Sequence, residues 1–197
     1  LKGPKGAGIY DNMLYVTDVD RIIAVNIDSA KIAKTYPCPS AKFLNDIAIN
    51  NDGNVYISDS SPDNSVIYRL QDGQIQRWLE DEQINRPNGL CISSNYLYFG
   101  NSGDGKIKKV NLENSQLETV VEVGSAIDGL RIDNDGNFIV SDWRGKTSLI
   151  ESSGKQHVLI NTTDEEINAA DLEYIHDSNL IFIPTFHDNR VMIYKLK

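Results

Sequence analysis

The chain has 197 residues, 28 of them acidic and 19 basic, for a formal net charge of −9. Such a balance repels nucleic acid and anionic bilayers at long range and excludes both as main partners, although a local basic patch stays compatible with the total. No apolar run reaches the roughly 18 residues of a membrane helix, and no signal-peptide pattern opens the chain. A soluble protein is expected, with a periplasmic or secreted setting slightly favoured over the cytoplasm. A start at Leu1 rather than Met points to a trimmed or processed chain.

Strand-like alternation begins at once. Ala7 to Tyr10, Met13 to Asp18, Ile22 to Ile27 and Lys31 to Tyr36 are four short runs rich in β-branched and aromatic residues, separated by turn residues. The next four are Ile47 to Ile49, Val55 to Ile57, Ser65 to Leu70 and Ile75 to Leu79. Asn51-Asp52-Gly53-Asn54 joins the first two, and Asp-Gly between alternating runs is a strong hairpin signal. A third set covers Leu90 to Ile92, Tyr96 to Asn101, Lys106 to Val110 and Leu117 to Val121. The fourth repeats the Asp-Gly turn as Asn134-Asp135-Gly136-Asn137, followed by Phe138 to Asp142, Thr147 to Ile150 and His157 to Ile160. In the fifth, Leu172 to Ile175, Leu180 to Phe186 and Val191 to Leu196 appear, with no fourth strand. Asp164 to Ala170 has room for one helical turn. Cys38 and Cys91 have neither metal-type nor redox-type spacing and are expected as two separate half-buried thiols.

A short motif precedes the first strand of every set: Pro4-Lys5-Gly6, Leu44-Asn45-Asp46, Pro87-Asn88-Gly89, Ile127-Asp128-Gly129 and Ala169-Ala170-Asp171. Its second residues, Lys5, Asn45, Asn88, Asp128 and Ala170, are spaced by 40, 43, 40 and 42 positions. A period near forty residues with four strands per period is that of β-propeller blades, so one all-β domain over residues 1–197 is expected. A propeller must close to hide its strand edges. Five units with one strand short close either through a sixth blade or through an N-terminal piece supplying the last strand, which makes a completing chain or segment a candidate partner.

Blade geometry places the connection into each innermost strand at the mouth of the central tunnel. Lys5, Asn45, Asn88, Asp128 and Ala170 should form a ring there, with the ends of the second strands, Asp18, Asp59, Asn101, Asp142 and the His187 region, on the same face. Amide and carboxylate oxygens converging without cysteine suit a hard cation. For a single Asn or Asp the competing explanation is turn capping, and the shared register of Asn88 and Asp128 argues against it. Asp133-Asn134-Asp135-Gly136 lacks the acidic twelfth residue and the flanking helices of a calcium loop. Trp143 and Arg144 either wall a pocket and hold a carboxylate or phosphate, or leave Trp143 packed between blades. Lys5 either meets an anionic substrate or reaches solvent, and His187 is either a base at the mouth or a surface histidine.

Asn45-Asp46, Pro87-Asn88-Gly89-Leu90 and Asp128-Gly129-Leu130, with Asp-ended strands between them, resemble the gluconolactonase and regucalcin family of six-bladed propellers over essentially the whole chain. That resemblance implies a central divalent metal, Ca²⁺ first and Mg²⁺ or Zn²⁺ next, with Asn88 and Asp128 as ligands and Asn45 near the substrate. The family's remaining ligand is a Glu of the first blade, and no repeat here carries it, so the chain resembles the family minus that blade. Two functions follow. One is a metal-dependent hydrolase of a lactone or related ester, with Asp46, Asp171 or His187 handling the attacking water and Asn45, Lys5, Trp143 and Arg144 holding the substrate. The other is a non-catalytic propeller that binds a small ligand or a protein on the same face.

Overall fold

A computed structural model describes residues 1–197. The first sheet contains β1 (Pro4–Tyr10), β2 (Met13–Asp18), β3 (Arg21–Asn26) and β4 (Lys31–Pro37), hydrogen-bonded in that order. The second contains β5 (Leu44–Ile49), β6 (Val55–Asp59), β7 (Val66–Gln71) and β8 (Gln74–Leu79). In the third are β9 (Pro87–Ser93), β10 (Tyr96–Asn101), β11 (Lys106–Asn111) and β12 (Leu117–Glu122). The fourth has β13 (Leu130–Ile132), β14 (Phe138–Asp142), β15 (Lys146–Ile150) and β16 (Gln156–Asn161). The fifth has three strands, β17 (Glu173–Ile175), β18 (Leu180–Pro184) and β19 (Val191–Lys195). Every pairing is antiparallel between chain neighbours, so each sheet is an up-and-down blade of a β-propeller. No helix is long and apolar enough to cross a membrane.

Residues alternate in direction along a strand, and here both directions are dry. Ile47, Val55, Ile57, Val66 and Tyr68 of the second blade pack with Ile22 of the first, whereas Ala48, Tyr56 and Ile67 pack with Leu90, Leu97 and Phe99 of the third. Ile107 and Val121 meet Leu130 and Val140 of the fourth blade, and Ile139 meets Leu172, Tyr174 and Ile181 of the fifth. The core is therefore a series of seams between neighbouring blades, each side chain contributing about 1.5–3 kcal/mol of burial. No such seam joins the fifth blade to the first, and Ile9, Ile175, Val191 and Ile193 remain exposed.

Three details differ from the pattern read in the sequence. The innermost strands of the first three blades begin at Pro4, Leu44 and Pro87, so the motif is already extended backbone there. The second strand of the last blade stops at Pro184 rather than reaching Phe186, because Phe186–Asp188 turns into a 3-10 segment with Phe186 at φ +49°. Both cysteines are free, as expected, but Cys38 and Cys91 are buried rather than half-buried.

Glycine at the third motif position answers a contact between blades. A Cβ on Gly89 would lie 2.6 Å from the carbonyl oxygen of Asp128, and one on Gly129 would lie 2.6 Å from the Leu172 nitrogen. At these two glycines the innermost strands of the third, fourth and fifth blades touch backbone to backbone and leave no room for a side chain. In the second and fifth blades the same position holds Asp46 and Asp171.

Candidate site at the tunnel mouth

A cavity of about 1050 Å³ opens at the mouth, and its lining includes Lys5, Asn45, Asn88, Asp128 and Ala170, the second residue of all five motifs. Trp143, Arg144 and Asp171 line it as well. The ring read from the repeat register therefore exists, with Asp171 added one residue further along.

Neighbouring blades are stitched together at its floor. The Asn88 Nδ2 donates to Asp128 Oδ1 at 2.7 Å, and the Asp171 backbone N–H donates to Asp128 Oδ2 at 3.0 Å. Burial, and then the nearby Asp171 carboxylate, push the Asp128 carboxyl up to about 6. Asp171 itself sits at φ +67° and accepts from the Leu172 N–H at 2.7 Å. Burial raises its pKa, against the pull of Arg131.

Asp46 stands in the equivalent position but faces another way. Its Oδ1 accepts from Ile47 N–H at 2.7 Å and its Oδ2 from Leu90 N–H of the next blade at 2.6 Å. Only 2 % of Asp46 is exposed, it does not line the cavity, and burial with the Asp171 charge raises its carboxyl to about 8. This side chain joins the second and third blades rather than presenting an oxygen to a substrate. His187 is also outside the lining; it is exposed, with its ring 4.7 Å from that of Phe186 and 6.2 Å from that of Trp143.

Arg131 is the functional-looking residue that the repeat register did not single out. It lies below the ring, 3.9 Å from Asp46 and 3.1 Å from Glu173, and donates to the carbonyls of Leu90 and Leu130. Burial disfavours its charge, but Asp171, Asp46 and Glu173 outweigh that cost and raise its pKa. Strand alternation after Gly129-Leu130 was the available signal, since it points Arg131 away from the Leu130 seam. Lys42, Phe43, Arg86 and Phe186 also line the cavity. Lys42, Phe43 and Arg86 immediately precede motifs, so the same register could have found them.

The acidic ends of the second strands have a structural role. Asp18 Oδ1 accepts from the N–H groups of Lys2 and Gly3 at 2.6 and 2.7 Å, and Asp59 accepts from those of Lys42 and Phe43 at 2.8 and 3.0 Å. Asn101 accepts from Asn85 N–H at 2.7 Å. Each ties down the connection that delivers the motif of its own blade. Burial would raise the Asp18 carboxyl, but the Gly3 and Lys2 N–H groups and Arg21 hold it below its usual 3.8. A depressed folded-state pKa stabilises above the unfolded value, and the gain is lost as pH falls through the folded value. Urea melts should therefore show Asp18→Asn less stable than the parent at pH 6, with the gap shrinking below about pH 3.8, the usual value for this side chain. A gap that persists unchanged at pH 2.5 would remove this linkage.

Oxygen donors of the right kind for a hard cation are present in Asn88 and Asp128, which project side by side into the cavity. They offer two oxygen donors, and no group of three or more His, Cys, Asp or Glu side chains is arranged to hold a metal ion.

The family model for the SMP-30/Gluconolactonase/LRE-like region matches residues 2–170. No curated protein matches the sequence. Among solved structures, a gluconolactonase from Xanthomonas campestris superposes with a TM-score of 0.73 at 18% identity, over 93% of this chain and 69% of that one. An inactive virginiamycin B lyase from Staphylococcus aureus with quinupristin gives a TM-score of 0.76 at 14% identity, over 100% of this chain and 67% of that one. A chain of the nidogen/laminin complex gives 0.75 at 16% identity, over 99% and 81%. At these identities the superpositions show a shared propeller fold.

Proposed function

Since the chain belongs to the SMP-30/gluconolactonase/LRE-like family, we propose that it is a divalent-metal-dependent hydrolase of a lactone or related ester, working at the tunnel mouth. The observation that carries the proposal is the Asn88–Asp128 pair, hydrogen-bonded at 2.7 Å in the floor of a roomy cavity. Ca²⁺ is the preferred ion, because amide and carboxylate oxygens with no sulfur or imidazole suit a hard cation. When bound, such an ion supplies Lewis acidity to an ester carbonyl.

The chain's own residues do the rest. Asp128 is fixed from two sides by Asn88 and the Asp171 N–H, so its carboxylate is pre-oriented. Asp171 is the carboxylate left to orient the attacking water, because Asp46 has both oxygens committed to backbone N–H groups. Asn45 and Lys5 face the substrate from the first two blades, and Trp143 with Arg144 supplies a further part of the wall. His187 buttresses that wall through its contacts with Trp143 and Phe186.

Hydrolysis of glucono-δ-lactone should vanish in excess chelator and return on adding back Ca²⁺, Mg²⁺ or Zn²⁺. Activity indifferent to the chelator would overturn the metal assignment. The donor set also favours a second reading, ligand binding without catalysis, because no three-acid cluster surrounds the Asn88–Asp128 pair. Elemental analysis of the purified protein separates the two: about one tightly held divalent ion per chain supports the hydrolase, and none supports the binding module.

A further inference from the structure

Against an overall charge of −9, the cavity lining carries four cations, Lys5, Lys42, Arg86 and Arg144, and three carboxylates, Asp128, Asp142 and Asp171. All four cations are exposed, and none of them takes part in an ion pair. Each carboxylate also accepts a local hydrogen bond: Asp128 from Asn88 and the Asp171 N–H, Asp142 from the Arg144 N–H at 3.0 Å, and Asp171 through one oxygen from the Leu172 N–H. Unpaired cations are therefore collected around one opening, delivered by the first, second, third and fourth blades or the connections into them. Like charges in a concave, low-dielectric setting focus a field on whatever enters.

The backbone holds one of these cations in a conformation that costs energy. Arg86 sits at φ +53°, pinned by its N–H to Ser65 Oγ at 2.8 Å and by its carbonyl to the Ser102 N–H at 3.1 Å. Next to the cations stand aromatic faces that a monomeric protein would normally cover. Phe43, Trp143 and Phe186 are 40, 39 and 48% exposed, and all three line the cavity. The Lys5 Nζ lies 5.3 Å from the centre of the Phe43 ring and 5.7 Å from that of Phe186. Exposed aromatics beside unpaired guanidinium and ammonium groups match a ligand with a ring body and a separate anionic group.

We propose that the ligand of this cavity is an anionic sugar lactone, bearing a phosphate or carboxylate that the Lys5, Lys42, Arg86 and Arg144 rim holds while the ring lies against Phe43, Trp143 and Phe186. The lactone part rests on the hydrolase reading above; the anionic part rests on the cavity alone. Guanidinium groups match the planar, multi-oxygen geometry of phosphate and carboxylate, so Arg86 and Arg144 carry the recognition and the lysines add attraction at longer range.

Calorimetric titration of the full chain with 6-phosphogluconate, gluconate, inorganic phosphate and glucose tests the anion. The phosphorylated acid should bind at least about tenfold more tightly than glucose, and raising NaCl from 50 to 500 mM should weaken it about tenfold. Gluconate alone matching it would assign the rim to carboxylate, and inorganic phosphate competing for the site would assign it to phosphate. Arg86→Gln and Arg144→Gln should each weaken binding about tenfold, whereas Lys31→Gln on the outer strand β4 leaves it unchanged. Equal binding of glucose and the charged probes, no binding of any charged probe, or unchanged binding in both arginine variants overturns the proposal. Turnover separates it from the hydrolase reading. Charge-selective binding without hydrolysis of any lactone removes the hydrolase and keeps the anion site. Equal binding and equal kcat/KM for neutral and phosphorylated gluconolactone remove the anion site and keep the hydrolase.

Discussion

Asp128→Asn should lower lactone hydrolysis by at least about a hundredfold and weaken divalent-metal binding, while the far-ultraviolet circular dichroism stays that of the parent. The substitution keeps the side chain's shape and removes its charge. One amide oxygen can still accept from the Asn88 Nδ2, but the amide nitrogen then faces the Asp171 N–H, which has lost its acceptor. A charged oxygen donor becomes a neutral one, and hard cations depend on ligand charge. The fold should survive because Asp128 lines the cavity and holds no apolar seam together, and because a neutral amide removes a buried charge that Asp171 already opposes. Metal titration followed by calorimetry, run beside the kinetic assay, reads both effects. Activity within about twofold of the parent would show that the Asn88–Asp128 pair is a turn-capping contact between blades and nothing more.

A large loss of stability is expected from Gly129→Ala. A Cβ at that position lies 2.6 Å from the Leu172 nitrogen and 2.7 Å from both the Asp171 carbonyl carbon and its Oδ1. Two of those atoms are backbone of the fifth blade's entry, so relief requires the fourth and fifth blades to separate. Forced overpacking of this kind costs about 1–3 kcal/mol or more, which for a chain of this length lowers Tm by roughly 2–4 °C per kcal/mol. Activity should fall as well, because the shift moves Asp171 and its N–H bond to Asp128. Gly136→Ala supplies the contrast: Gly136 sits at φ +84° with nothing within 4 Å of a Cβ, so only the left-handed backbone is strained, at about 1 kcal/mol. Thermal melts showing the two variants equally destabilised would remove the backbone contact at Gly129 as the cause.

Much of the propeller is legible in the amino-acid sequence. Turn chemistry such as Asn51-Asp52-Gly53-Asn54 and period-2 runs such as Val55-Tyr56-Ile57 are local properties, and they repeat with a spacing only blades explain. The convergence of Lys5, Asn45, Asn88, Asp128 and Ala170 followed from the same register. Asp46 and Asp171 show where that reasoning stops. Both follow the second motif residue, yet Asp171 lines the cavity and Asp46 is turned onto the Leu90 N–H of the adjoining blade. The partner that takes up Asp46 is the Leu90 N–H, some forty positions further along the chain, and Asp171 in the last blade has no counterpart to it. His187 is a similar case, since its ring direction is decided by the turn after Pro184 and by Trp143.

The amino-acid sequence by itself determined the blades, their order and the register that sends one residue from each motif to the axis, because alternation and turn preference act within a few residues. Only the tertiary structure decided which carboxylates stay open to a ligand and which are consumed in joining blades. Those outcomes depend on how sheets separated by about forty residues press against each other, and side-chain burial and charge pairing at that range have no local signature.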